Sequence, residues 1–146
     1  MNDQVGIIGI RTGGVWIAEK LRSALGLTLP MGAIDVSFYR DDFRKVGLHR
    51  GVKPSEIPFS VEGRDILLVD DVLYTGRTVR AAINEIFDYG RPGSLWLVAL
   101  VDRGGRQLPF AADAVGATLT VPADQRVDLV RAQDNKLSLV YRAAQP

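Results

Sequence analysis

The sequence predicts an α/β protein built on a doubly wound, mostly parallel sheet, with short β pieces at its C-terminus. Three observations carry this. Apolar runs of strand length recur at Val5–Ile10, Ile66–Val69 and Ser94–Val101. Stretches with apolar residues at helical spacing follow the first two runs: Ile17, Ala18, Leu21, Ala24 and Leu25, then Val79, Ala82, Ile83, Ile86 and Phe87. Each of those strands enters its helix through a short loop of glycine and hydroxyl residues. Alternating strands and helices of this kind form parallel sheets covered by helices.

The elements follow in order. "VGIIGI" gives way to Arg11-Thr12-Gly13-Gly14, and the helix that starts there is stopped by Gly26. "AIDVSFYR" alternates Ile34, Val36 and Phe38 inward as a strand does. Residues 40 to 60 show no clear periodicity and carry many charges; a loop of that length in a compact domain reads as a lid or a disordered segment. The second helix closes at Gly90 and Pro92. Near the C-terminus "VDLV" and "KLSLVY" flank Asp134-Asn135 as a hairpin.

At 146 residues, 47% hydrophobic and 24% charged, the chain has the size and composition of one globular domain, 1–146. A net charge of +1 argues against a protein held to nucleic acid by bulk charge alone, so any such binding needs a local basic patch. With no cysteine, disulfides and thiolate metal sites are excluded. Neither a signal-like h-region nor an apolar run of bilayer length occurs, so the expected location is the cytoplasm.

Chemistry concentrates in "DILLVDDVLYTGRT", residues 65 to 78. A strand feeding a helix through Thr75-Gly76-Arg77-Thr78 turns backbone N–H groups outward at the helix N-terminus, and Gly76 lets a ligand come close. Such a nest suits a phosphate monoester. Asp70 and Asp71 would repel that phosphate, but they suit a vicinal diol or a water-bridged Mg²⁺. Phosphate on one side and diol on the other describe a ribose 5-phosphate. Taken alone, two acids before a turn are equally well explained by a helix cap and a solvated carboxylate. The loops at 11–14 and 70–78 both follow strands and open helices, so both belong on the carboxyl edge of the sheet, where ligands of such folds bind.

The fourteen-residue motif resembles the phosphoribosyl diphosphate (PRPP) signature of type I phosphoribosyltransferases. With "VRAAINEIFDYGRP" and "LVALVDRGGRQLPFAADAVG", the chain is similar from Val5 to Tyr141 to the bifunctional pyrimidine operon attenuation regulators with uracil phosphoribosyltransferase activity. The resemblance implies the type I phosphoribosyltransferase fold with a mobile lid, here the stretch from Arg40 to Arg50. It implies that Asp70 and Asp71 bind the ribose hydroxyls with Mg²⁺ nearby, that Leu73 to Thr78, Tyr74 among them, cradle the 5-phosphate, and that Arg11, Thr12 and Gly13 touch the diphosphate. Arg40 would belong to the closing lid, while His49 reads as loop. Arg103 would donate to a uracil carbonyl, and Arg106 would serve RNA or diphosphate. Relatives carry His where this chain has Gly105, which weakens a basic cluster there.

The reaction implied joins uracil and PRPP into UMP and diphosphate. Some purine relatives place an Asp where this chain has Tyr74; a tyrosine is a poor base at neutral pH, so the uracil proton leaves to solvent or with indirect help from Asp70 or Asp71. The family also implies regulation by binding pyrimidine operon leader mRNA, with Arg22, Arg103, Arg106, Arg126, Arg131, Lys136 and Arg142 as candidates. The alternative is an RNA-binding attenuator or nucleotide sensor with little catalysis. Relatives have a helical segment before the first strand, whereas here only Met1 to Gln4 precede Val5. The expectation is therefore apolar surface covered by a partner subunit, in a homodimer, or reduced stability.

Overall fold

The computed structural model describes residues 4–36 and 55–144. The readings placed on Phe38, on Arg40 and on His49, with the rest of the lid stretch from Arg40 to Arg50, lie outside the described residues. Five parallel strands form the central sheet in the order β2-β1-β3-β4-β5. They are β1 (Val5–Ile10), β2 (Met31–Ile34), β3 (Asp65–Leu73), β4 (Ser94–Asp102) and β5 (Ala114–Thr118). Helix α1 (Gly13–Ala24) links β1 to β2, and α2 (Arg77–Tyr89) links β3 to β4. An antiparallel hairpin, β6 (Gln125–Arg131) and β7 (Leu137–Ala143), completes the described chain.

The side-chain alternation of β1 shows why both faces are covered. Ile8 and Ile10 join Ile66, Leu68, Val79, Ala82, Ile86, Leu97 and Ala99 in a core under α2. Ile7 points to the other face, where it meets Ile17 and Ala18 of α1, Val69 and Leu129. Successive strand residues serve opposite faces, so a strand buried on both sides reads as a continuous apolar run. The hairpin seals the α1 side through Leu129 and turns at Asp134–Asn135. There Asn135 takes a positive φ of 66°, and Lys136 N–H donates to Asp134 Oδ1 at 3.1 Å.

Three boundaries differ from the sequence expectation. β2 occupies Met31–Ile34 and does not run on toward Phe38, because its partner β1 ends opposite Ile34 and Arg11 N–H closes that ladder on Ile34 O at 2.8 Å. Ile34 and Val36 are nevertheless both buried. β3 does not stop at Val69: β4 keeps pairing with it up to Leu73↔Asp102, so Asp70 and Asp71 belong to the strand. β5 went unread in the sequence because, Val115 apart, its residues are small or polar, and all five are exposed. Glu56, inside the aperiodic stretch, returns to the sheet and exchanges two 2.8 Å backbone hydrogen bonds with Ala33.

Candidate active site

The strand order reverses at β1, which has β2 on one side and β3 on the other. Ligands of open α/β sheets bind beyond the carboxyl ends of strands at such a switch. β1 pairs with β3 only as far as Gly9↔Val69. From Asp70 onward β3 therefore projects past its neighbour, and the turn from β1 into α1 crosses over the projection. Gly13 and Gly14 make that crossing possible. A Cβ on Gly14 would strike Val69 O, and one on Gly13 would overlap the Asp71 carboxylate. The sequence reading placed both glycines in the 11–14 loop but named only Gly13 as a diphosphate contact.

The two acids are held differently. Asp70 is 4% exposed, and its Oδ1 accepts from Asp71 N–H at 2.9 Å. Asp71 is half-buried, with Oδ1 accepting from Val72 N–H at 2.8 Å and Oδ2 turned toward Gly13. The N-terminus of α1, whose N-cap Thr12 makes no side-chain cap, lies beside it. A carboxylate near a helix N-terminus is favoured by the unpaired N–H groups there. The Arg11–Thr12 peptide is cis, and the half-buried Arg11 reaches Glu56 at 3.6 Å.

Beyond the acids, β3 turns into α2 over a cavity of about 190 Å³. Asp70, Leu73, Tyr74, Thr75, Gly76 and Thr78 line it, together with Val72 and Val79. Gly76, the N-cap of α2, adopts φ 97°, a conformation that glycine takes at little cost, and as glycine it supplies no side-chain cap. Thr75 Oγ1 accepts from Arg77 N–H at 3.2 Å, which leaves its own O–H available as a donor. The turn thus presents uncapped N–H groups, a hydroxyl and the positive end of α2 to one small cavity. An anion of phosphate size suits it.

Arg77 departs from the cavity lining: its Nη2 donates to Gln107 Oε1 at 3.0 Å. Gln107 was given no role of its own in the sequence, yet with Leu108 it braces this turn. Gln107 N–H and Leu108 N–H both donate to Thr75 O, at 3.0 and 3.1 Å. Arg103 is buried, and its guanidinium donates to backbone carbonyls of Val121, Pro122 and Gln125 at 3.2–3.4 Å. Its Cζ also lies over the Tyr74 ring, 3.9 Å from the ring centre.

The basic residues considered for RNA do not form one group. Arg126 and Arg142 face each other across the hairpin and share Asp128, each at 3.1 Å. Arg131, at the other end, contacts Glu19 and Trp16 of α1. Arg22 donates to Leu29 O, Lys136 sits near Asp134, and Arg106 is exposed. Among the described residues, no group of three or more His, Asp or Glu could hold a metal unaided, and no helix is long and apolar enough to cross a membrane.

A switch-point site with a phosphate-sized turn and an acid pair on one strand defines a phosphoribosyltransferase. The sequence profile of the "Phosphoribosyl transferase domain" matches residues 1–132. "Bifunctional protein PyrR" of Pseudomonas putida GB-1 is 60% identical over 122 residues, covering 84% of this chain and 71% of the relative. That of Nitrosococcus oceani is 53% identical over 137 residues, covering 92% and 77%. Among solved structures, a hypoxanthine phosphoribosyltransferase from Trypanosoma cruzi complexed with its product IMP is similar at 30% identity and a TM-score of 0.60. That match covers 82% of this chain and 55% of the other. The chain belongs to the PyrR family of phosphoribosyltransferases.

Proposed function

We propose that this site transfers the phosphoribosyl group of PRPP to uracil, giving UMP and diphosphate, and that the protein also regulates the pyrimidine operon. The observation that carries the transferase reading is the continuity of β3 into its turn. Asp70, Asp71 and the uncapped nest from Tyr74 to Thr78 stand on one uninterrupted segment beside the β1 loop. The spacing suits one ligand that is anionic at one end and a diol at the other.

In this reading the amides of the turn and the Thr75 hydroxyl bind the 5-phosphate, while Asp70 and Asp71 accept from the ribose hydroxyls. The β1 loop, with Arg11, Thr12 and the start of α1, receives the diphosphate. The C1′–O bond to diphosphate breaks as the bond from C1′ to the uracil nitrogen forms, and that nitrogen loses its proton to solvent or with indirect help from Asp70 or Asp71. Donors aimed at the departing anion are each worth roughly 3–4 kcal/mol of barrier. Holding the two substrates in line contributes about 7–11 kcal/mol at best. Two carboxylates that reach a ligand through water fit Mg²⁺, a hard cation that keeps most of its waters and completes its shell with substrate phosphates. Bound there with PRPP, it would neutralise charge on the leaving diphosphate.

The test is Mg²⁺-dependent formation of UMP from labelled uracil and PRPP, with Asp71→Asn run alongside. Absence of UMP from the wild-type protein would refute the transferase, and an unimpaired Asp71→Asn would refute the role given to the acid pair. For the regulator, UMP-dependent retardation of a pyrimidine operon leader RNA at low salt is the measure. The protein is expected to act in the cytoplasm as a homodimer, which light scattering would reveal by mass.

A further inference from the structure

We infer that Arg103 is a positioning residue for this reaction, tying Tyr74 at the cavity to the segment 121–125 instead of touching the base. The inference rests on the transferase reading above, whose phosphate turn it concerns.

Arg103 follows the last residue of β4 and is 91% buried, at 9% exposure. Its two terminal nitrogens are committed to three backbone carbonyls, of Val121, Pro122 and Gln125. Its Nε is buried with no hydrogen-bond partner among the described residues. Buried donors are almost always paired, so an orphan marks a side chain whose orientation is set by another demand. The Tyr74 ring supplies that demand, since Arg103 Cζ lies over it, 3.9 Å from its centre. A cation over an aromatic face is attracted by the ring, more strongly where water is excluded.

Tyr74 is held from a second direction. Gly105, at φ 81°, lies so close that any Cβ there would overlap the Tyr74 ring. The residues around Tyr74 are stitched to the same segment: Arg103 N–H donates to Leu73 O at 3.1 Å, and Gln107 and Leu108 N–H donate to Thr75 O. Arg77 completes the series through Gln107. The segment after β4 is therefore laced to the phosphate turn residue by residue, and Arg103 is its charged anchor. Three N–H bonds of the Arg103 guanidinium point at the carbonyls of 121–125, and Nε is enclosed. Arg103 is not among the residues that line the cavity, so the guanidinium is turned toward that segment and the Tyr74 ring. The reaction feels it through the shape of the turn.

Lysine keeps the charge but offers neither a flat face nor a fork that reaches three carbonyls. Arg103→Lys is expected to lower kcat/KM for PRPP by roughly 10- to 100-fold, the penalty for small misplacements around a reacting centre. It leaves KM for uracil at the wild-type value and weakens ribose 5-phosphate binding measured by calorimetry. Tyr74→Leu moves the same quantities in the same direction. The double variant is no worse than the more damaged single one, as expected of residues acting as one unit. A raised KM for uracil with normal constants for PRPP in Arg103→Lys would overturn the inference, and so would additive losses in the double variant. If Arg103→Lys does not fold, Tyr74→Leu decides, because normal PRPP constants there also overturn it. If the wild type makes no UMP the transferase reading fails, and calorimetry with ribose 5-phosphate still judges the positioning. Weaker binding in both variants supports it; unchanged binding refutes it.

Discussion

Gly13→Ala is the most direct probe of whether the β1 loop and the acid pair form one site. Gly13 is buried under the projecting end of β3. An added methyl carbon would lie 2.7 Å from Asp71 Cγ and 2.9 Å from its Cβ, besides overlapping the carboxylate. Ordinary carbon contacts are about 3.5–4.0 Å, so the shortfall is roughly 1 Å. Asp is too short to swing its end aside while keeping its backbone position. Either its carboxylate leaves Val72 N–H, at a net cost of about 0.5–1.5 kcal/mol, or α1 lifts from β3. Overpacking of this kind costs about 1–3 kcal/mol. At about 2–4 °C per kcal/mol for a domain of this size, the melting point falls by roughly 2–12 °C. Activity should fall further, by about 100-fold in kcat/KM for PRPP, since Asp71 and the loop are displaced together. Calorimetry gives the first quantity and the UMP assay at a temperature well below melting gives the second. A variant with wild-type melting and wild-type kinetics would show that the methyl is accommodated and that the loop and Asp71 are not in functional contact.

Three further outcomes are expected. Gly26→Ala, at φ 62° with open space around it, should lose about 1–2 kcal/mol of stability to left-handed strain while the kinetic constants stay unchanged; a loss of activity would refute the assignment of Gly26 to helix termination alone. Ile66→Ala removes a fully buried side chain from the core under α2 and should cost about 2–5 kcal/mol, read from urea midpoints; a smaller loss would mean that the core collapses around the gap. Asp128→Asn breaks two exposed contacts, to Arg126 and Arg142, and should change stability by less than about 1 kcal/mol, which denaturant titration at two salt concentrations would check.

Most of this architecture was legible because its signals are local. The core strands announce themselves as apolar runs, and both helices by period and by the glycines that end them. The acid pair and the phosphate turn share one contiguous segment, so spacing alone brought them together. What was not legible depends on distant partners. β3 runs on through Asp70 to Leu73 because β4 is there to pair with it, a fact that no local pattern contains. β5 is held by its ladder to β4 and has no apolar stripe of its own. Arg103 was read as a donor for a ligand because it follows a strand end near the site. Its partners within the protein lie 18 to 22 residues away, in an irregular segment that no local pattern connects to it.

The continuation of β3 past Val69 also explains how the site can be pre-organised without its ligand. Functional groups on loops need other contacts to hold them, whereas groups on strands inherit the precision of the ladder. Asp70 is opposite Ala99 in that ladder, and pairing continues on its far side at Val72↔Val101 and Leu73↔Asp102. Clamped on both sides, the acid pair has its direction fixed by β4, and small residues of α1 close over it. Only the phosphate turn leaves the ladder, and there the segment after β4 takes over through Leu73 O, Tyr74 and Thr75 O. One neighbouring strand and its continuation thus hold both halves of a ribose phosphate site. A weakened β4 end should therefore disturb the diol side and the phosphate side together, whereas damage confined to the turn should spare the acids.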